Sequence, residues 1–442
     1  MTQAALQFDS KELLRKFITP KRSDVLGKIT KVLGLVIEAY LPNAPIGAIC
    51  EIYPDDQSEI RYAEVIGLKS QHVQMMMIGE LSGVKVGSLV RVVEQQARVG
   101  VCDQLLGRVI DPLGEVMDQG DPIKYKEFYK LYQTPVPALS RRRVEMPMSL
   151  GVRAIDGLNT CGEGQRVSIM AGSGVGKSTL MGMMARNTSG DVNVIALLGE
   201  RAREVRDFIE KDLGPEGLKR SVVIVATSDT PPLIRMRCAY VATAIAEYFR
   251  DHGSKVLLLM DSLTRFAMAS REVGLSIGEP PTSRGYTPST FTVLPKILER
   301  AGTTAHNGSI TGFYTVLTEG DDINDPIADC VRSIVDGHIV LSRKLANEGH
   351  FPAIDILNSL SRVMGDVTSE SHIAASRKVR GLMATYAEME DYINIGAYTP
   401  GKNADLDEAV KKQQHIKQFL RQMVEEKSEF SDTEGWLTQL AQ

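Results

Sequence analysis

Residues 167–180 read V-S-I-M-A-G-S-G-V-G-K-S-T-L: an apolar run, a glycine-rich loop, a lysine and two hydroxyls. Arg166–Met170 predicts a buried strand, and Lys177–Arg186 the helix that follows it. Gly172, Gly174 and Gly176, interleaved with Ser173 and Val175, lack a Cβ, so the backbone can turn sharply and aim N–H groups at an anion. Lys177 supplies a point charge for β- and γ-phosphates, and Ser178, followed by Thr179, offers a hydroxyl to Mg²⁺. The start of the helix adds its positive dipole end. The usual pattern opens with glycine; the small Ala171 stands there instead. The stretch predicts a loop that cradles the phosphates of a nucleoside triphosphate.

Outward from this loop, residues 151–365 alternate apolar runs with helical ones. Strands are expected at Val192–Leu198, Ser221–Ala226, Lys255–Met260, Ser309–Val316 and Gly337–Leu341, and helices at Glu204–Leu213 and Leu233–Arg250. Near-continuous Val/Ile/Leu strands joined by helices predict an α/β domain with a mostly parallel sheet covered on both faces. Asp261 ends one such strand, where a carboxylate either joins a Mg²⁺ shell or caps a helix; the loop upstream favours the Mg²⁺ role. Glu200 follows Val192–Leu198 at the strand end that faces the ligand crevice, suited to polarising an attacking water. Arg201 beside it is placed to contact phosphate. Glu204, one turn on, either shares the Mg²⁺ water shell or belongs to a surface charge cluster, R-A-R-E-V-R-D.

The flanks differ in texture. Residues 21–95 hold short β-rich runs with glycine punctuation, Ile29–Val36, Ala48–Ile52, Tyr62–Ile66, Val73–Ile78 and Ser88–Val93, which predict a β-barrel. Met75-Met76-Met77 within it reads as core or edge ahead of a Met-rich binding surface. Residues 96–150 read as a linker, with Pro122, Pro135, Pro137, Pro147 and an Arg141-Arg142-Arg143 run that is either solvated or an anionic-partner patch. Residues 366–442 predict a helical C-terminal domain with helices at Ser371–Asp391 and Asp405–Lys427. Over 1–20, Leu13, Leu14, Phe17 and Ile18 fall at helical spacing. That amphipathic helix serves a partner helix or membrane surface, or packs on its own domain.

Composition removes several classes. The chain has 442 residues, a net charge of −4 and 6% aromatics, and residues 27–94 show no basic run interleaved with aromatics. The charge, the low aromatic content and the missing run argue against nucleic acid as a partner. Five scattered cysteines without CxxC spacing argue against zinc and a disulfide framework, and fit a reducing cytosol. No apolar run approaches the roughly 20 residues of a bilayer span, so a cytoplasmic location is expected.

One further stretch, Pro352-Ala-Ile-Asp355-Ile-Leu-Asn-Ser359-Leu-Ser361-Arg362, alone would read as a loop with hydroxyls and an arginine. With the P-loop, Glu200 and Asp261 it resembles the signature of the rotary-type ATPases: the catalytic subunits of F-, V- and A-type ATP synthases and the type III secretion ATPases. The resemblance spans barrel, linker, nucleotide domain and helical end. Its finer match, carried by D-V-N-V-I-A-L-L-G-E-R-A-R-E-V-R-D-F and L-L-L-M-D-S-L-T-R-F-A-M-A-S-R-E-V-G-L-S-I-G-E-P-P, is to the flagellum-specific export ATPases.

The resemblance implies an Mg²⁺-dependent ATPase that energises protein export. Lys177 and Ser178 would be its phosphate lysine and Mg²⁺ hydroxyl, Glu200 its catalytic glutamate, Arg201 a phosphate-contacting arginine and Asp261 its Walker-B aspartate. Arg362 occupies the arginine-finger position that reaches a neighbouring subunit's nucleotide. Arg265 resembles another site arginine, or forms a structural ion pair. Phe351 falls where the family packs an aromatic on adenine, or is ordinary core. Glu200 and Arg362 in one chain imply a homohexamer with shared sites. Implied partners are a stator-like regulator at the N-terminal helix, a central stalk protein, export-gate membrane proteins and chaperone–substrate complexes, with peripheral placement at the inner face of the bacterial membrane. An injectisome ATPase, an ATP synthase subunit, an RNA-translocating hexamer and a non-hydrolysing scaffold are the competing readings.

Overall fold

Between Leu26 and Glu94 short strands pair until no sheet edge is left open. In the computed structural model, which describes residues 25–54, 59–79, 81–318 and 325–442, they are the first six strands among the described residues. These are β1 (Leu26–Leu33), β2 (Val36–Tyr40), β3 (Ile49–Tyr53), β4 (Arg61–Lys69), β5 (His72–Ile78) and β6 (Leu89–Glu94). They close in the order β1-β2-β5-β4-β3-β6, and β6 returns antiparallel to β1, which removes the free N–H and C=O rows of an open sheet. The single strand expected over Ile29–Val36 is two. Gly34 adopts φ 56°, a left-handed turn that folds β1 back onto β2. Ile29, Ile37, Ile52, Met75, Met77 and Val90 form the barrel core, and Met76 on the other face is buried as well. The methionine run is therefore core.

The chain divides into two compact units between Ala97 and Arg98, with the barrel in the first. The expected helix over 1–20 lies outside the described residues. The second unit adds β7 (Arg98–Val101), β8 (Arg108–Ile110), β9 (Glu127–Lys130), β10 (Arg166–Ala171), β11 (Val192–Glu200), β12 (Ser221–Thr227), β13 (Lys255–Asp261), β14 (Gly302–Thr303), β15 (Ser309–Leu317), β16 (Gly337–Leu341) and β17 (Ile354–Ser361). Its sheet runs β17-β16-β10-β15-β13-β11-β12-β8, with β14 beside β15. All neighbours are parallel except β14 on β15 and β17 on β16. The central strands are buried along nearly their whole length, as a sheet covered on both faces requires.

Four local readings change. Residues 352–362, read as a loop, supply β17, an edge strand whose exposed Leu357, Asn358 and Leu360 hide its period. Part of the segment read as a linker is built into the second unit, because β8 pairs with β12 at the other edge of the sheet. Its arginine run is not solvated throughout: Arg141 reaches the carbonyls of Val136, Glu299 and Ala301, and Arg142 that of Thr304. The helix expected over 204–213 is α-helical only over Ala202–Asp207 and then widens into a π-turn, Phe208–Leu213. Finally, the helix expected to run to Lys427 stops at Leu420, leaving a turn before the last helix, Phe430–Ala441.

The C-terminal helices share one apolar core with the sheet: Phe419, Leu437 and Leu440 cluster with Ile169, Leu197 and Leu259. On the opposite flank a buried ion pair ties the helix Pro232–Asp251 to the segment after helix Pro288–Leu298. Arg300 donates Nε and Nη2 to the two Glu247 oxygens at 2.8 and 2.7 Å, and both side chains are buried. Removing one partner strands the other charge without water. Arg300→Ala is expected to cost about 3–5 kcal/mol, read as a lower urea midpoint, whereas the double replacement Arg300→Met with Glu247→Met costs less. Equal losses in the single and double variants would contradict this.

Candidate active site

The parallel order sends β10, β11, β13 and β15 to one end of the sheet, where their carboxyl ends open on a common crevice. β10 delivers the glycine loop. Gly174 and Gly176 adopt φ 77° and 89°, conformations that an L side chain enters at a cost of roughly 1–2 kcal/mol. Nothing lies within 4 Å of where a Cβ on Gly174 would project, so its glycine serves backbone conformation rather than room. Helix Lys177–Asn187 starts directly after Gly176 and points its free N–H groups into the loop. Val175 is buried in the core, so it offers the loop only its backbone.

Adjacent strands then bring three charges together. Leu197 of β11 is level with Asp261 of β13, which sets Glu200, at the end of β11, beside that carboxylate. Lys177 Nζ is hydrogen-bonded to Asp261 Oδ1 and lies 3.7 Å from Glu200 Oε1. Burial, and then the neighbouring Asp261 carboxylate, push the Glu200 pKa up to about 7, against the pull of the Lys177 ammonium. Glu204 hydrogen-bonds Glu200 and pushes in the same upward direction. On the far side of Asp261, the Thr315 hydroxyl of β15 donates to the same Oδ1 at 2.7 Å. The peptide between Asp261 and Ser262 is cis, and Ser262 caps helix Leu263–Ser276 by accepting from Arg265 N.

A cavity of about 670 Å³ covers this cluster, lined by the glycine loop except Val175 and by Glu200, Arg201, Glu204, Arg265 and Arg343. Ser178, Glu200, Glu204 and Asp261 share a narrow recess off it. Among the described residues no three His, Cys, Asp or Glu side chains form a metal cage. The hard oxygens of Ser178 and Asp261 suit a cation that keeps most of its water and is held by one or two protein groups plus phosphate. A second cavity of about 470 Å³ meets the first at Gly176 and Thr179, walled by Met183, Phe351, Pro352 and the turn after Leu420.

The predicted residues sort clearly. Lys177, Ser178, Thr179, Glu200 and Asp261 converge with the glycines, and Phe351 is 46% exposed beside the second cavity rather than in the core. Arg201 is largely exposed at the rim and pairs with Glu204 at 3.6 Å. Arg265 makes no ion pair among the described residues. Its Nε is buried without a partner, and Gly199 at φ 66° leaves space for its stem. Arg362 is elsewhere. Its N–H donates to Asp336 O, and Asp336 N donates to Arg166 O, which places Arg362 level with the start of β10. The loop begins at the other end of that strand, roughly 17 Å away at the usual strand rise, farther than the side chain reaches. Thr315 and Arg343 were missed from sequence, since a strand threonine and a lone arginine carry no local signal.

Three family descriptions match the chain: the ATP synthase alpha/beta family nucleotide-binding domain over residues 151–361, the beta-barrel domain of that family over 29–93, and the T3SS EscN ATPase C-terminal domain over 368–439. The chain is 51% identical over 415 residues to the flagellum-specific ATP synthase of Bacillus subtilis, with 94% of each chain covered. It is 49% identical over 425 residues to the type 3 secretion system ATPase of Sinorhizobium fredii, covering 96% of this chain and 94% of that one. The assembled ATPase EscN of the enteropathogenic E. coli type III secretion system superposes with a TM-score of 0.88 at 46% identity, covering 94% of this chain and 100% of EscN. Fold and site together define a P-loop ATPase. The chain belongs to the ATP synthase alpha/beta family, among its type III export ATPases. No helix among the described residues is long and apolar enough to cross a membrane.

Thr315→Val keeps the side-chain volume and removes the hydrogen bond to Asp261. Hydrolysis is expected to fall roughly tenfold to a hundredfold with the fold intact, as for other groups that orient a metal-site carboxylate. Wild-type turnover in a folded Thr315→Val protein would remove Thr315 from the site.

Proposed function

We propose that the chain hydrolyses Mg-ATP as a homohexamer in which each active site is completed by Arg362 of a neighbouring subunit, and that it energises export through the flagellar apparatus. The observation that carries this reading is the position of Arg362. It is exposed, its guanidinium has no hydrogen bond or ion pair among the described residues, and it lies at the wrong end of the sheet to serve its own P-loop. Within the chain, Lys177 and the loop amides bind the β- and γ-phosphates. Ser178 and Asp261 hold Mg²⁺ when it is bound, with Glu204 near its water shell, and the ion neutralises phosphate charge. Glu200 accepts a hydrogen bond from the in-line water, a role suited to a carboxylate poised near neutrality. Arg265 and Arg201 add positive charge at the inner and outer faces of the phosphate cavity. Phe351 packs on the adenine. The trans arginine stabilises the charge that develops on the transferred phosphoryl group, worth on the order of 10³–10⁵ in rate in related chemistry.

Assembly is supported by EscN, which has been solved both assembled and in complex with its central stalk EscO, the latter superposing with a TM-score of 0.87. The EscN–EscO complex supports a stalk in the central channel as a partner, and the export-gate membrane proteins are proposed from the sequence resemblance alone. The flagellar machine is our reading of the sequence resemblance; flagellum-specific relatives at 51% and 50% identity and type 3 secretion system ATPases at 49% and 48% do not distinguish it from an injectisome.

Two measurements test the reading. Mg²⁺-dependent ATP hydrolysis, followed with the mass of the species across a protein concentration series, is expected to show specific activity rising as the hexamer forms. Constant specific activity in a monomer would exclude a trans arginine. Glu200→Gln is expected to keep ATP binding within a few-fold and lose at least a hundredfold in turnover; full hydrolysis by that variant would dismiss Glu200.

A further inference from the structure

The second cavity has a wall that no sequence motif marks. After helix Ala404–Leu420 the chain runs as an irregular turn, and Gln422 and Met423 of that turn face Phe351 and Gly176 across the space. Gln422 and Arg153, both buried, hold it. Arg153 N donates to Gln422 Oε1 at 2.9 Å, and Gln422 Nε2 donates to Gly151 O at 2.7 Å and Glu426 O at 2.8 Å. Gln422 N donates to Phe351 O at 3.0 Å, which ties the turn to the aromatic opposite. The Arg153 guanidinium donates to the carbonyls of Phe419 (3.0 Å) and Arg421 (2.5 Å), pairs with Glu426, and lies over the Trp436 ring at 5.0 Å. Its fork thus takes up carbonyls that the helix end leaves without intrahelical donors and fixes where the helix stops. Burial raises the Glu426 carboxylate, but the hydrogen bonds from Arg153 and the Met423 N–H outweigh it and lower its pKa from the ordinary value.

We propose that Arg153 is a positioning residue for the nucleotide base: it braces the 421–426 turn against the segment of Phe351, so that Phe351 and Met423 hold the spacing of one aromatic ring between them. The inference rests on the ATPase reading above and deepens it. Arg153 itself does not line the cavity. Because both ends of the Gln422 amide are already engaged by Arg153, Gly151 and Glu426, the wall binds the base by stacking and shape rather than through that amide. The brace acts on the base only. The glycine loop and Lys177 are set by β10 and the helix Lys177–Asn187, and do not depend on it.

Two ligands separate these parts. ATP occupies both cavities, whereas inorganic tripolyphosphate occupies only the phosphate cavity. Binding of each to the full-length protein is measured by calorimetry for wild type, for Arg153→Met, which keeps the stem and removes the guanidinium, and for Glu426→Gln. Arg153→Met is expected to weaken ATP about tenfold, the scale of one lost packing or hydrogen-bonding group. Tripolyphosphate should stay within twofold, and in hydrolysis KM should rise while kcat at saturating ATP holds. Glu426→Gln, milder and half-exposed, should move ATP in the same direction by a few-fold. It carries the test if Arg153→Met does not fold. Arg153→Lys should recover part of the ATP affinity. Unchanged ATP binding in a folded Arg153→Met protein, or equal loss of both ligands, would overturn the proposal. A wild-type protein that binds neither ligand would instead overturn the nucleotide reading, and this inference with it.

Discussion

One ammonium between two carboxylates governs the architecture around it. Lys177 can meet Asp261 and Glu200 only because β10, β13 and β11 open at the same end of the sheet. That alignment depends on a parallel register held through β15, whose Thr315 also steadies Asp261. Two carboxylates this close, with partial burial, would not both stay ionised without a cation beside them. Burial first, and then the neighbouring Asp261 carboxylate, raise Glu200 against the pull of Lys177. This leaves a carboxylate that exchanges protons near neutrality, as work on a water molecule requires. The buried Val/Ile/Leu strands that supply most of the core are therefore also the ruler that spaces the charges.

The same parallel sheet separates the chain's own parts. A parallel strand has a ligand end and a far end, and β17, returning antiparallel beside β16, carries Arg362 down to the far end. An arginine there cannot fold back along β10. Its exposure and lack of a side-chain partner among the described residues fit the proposal that another copy offers the phosphate, under which assembly would be a condition for turnover. The base cavity obeys a third constraint. Its outer wall comes from the C-terminal helices through Arg153 and Gln422, so loop, base wall and helical end share one core.

Much of this was legible along the chain. The strands β10, β11 and β13 announce themselves as continuous apolar runs, and the glycine loop, Lys177, Glu200 and Asp261 follow from what sits at their ends. What stayed hidden depended on distant contacts. β17 looks like a loop because an edge strand with Asp355, Asn358 and Ser359 lacks a clean period. β8 is three residues among prolines, visible only once β12 is beside it. The end of the helix at Leu420 has no local signal, because Gln422, Met423 and Val424 continue a helical pattern; the residue that ends it, Arg153, is far away in sequence. Phe351 and Arg265 carried two readings each until the structure put one at an open cavity and left the other without an ion pair among the described residues.

The central claim is that one active site is made by two subunits. It is tested most directly by mixing Glu200→Gln and Arg362→Ala proteins, each devoid of turnover alone, and assaying ATP hydrolysis of the mixed oligomers with their composition read by native mass. Random mixing makes roughly one site in four whole, with Glu200 from one copy and Arg362 from the next. Activity should return in proportion. Mixed oligomers that remain as inactive as their parents would contradict it.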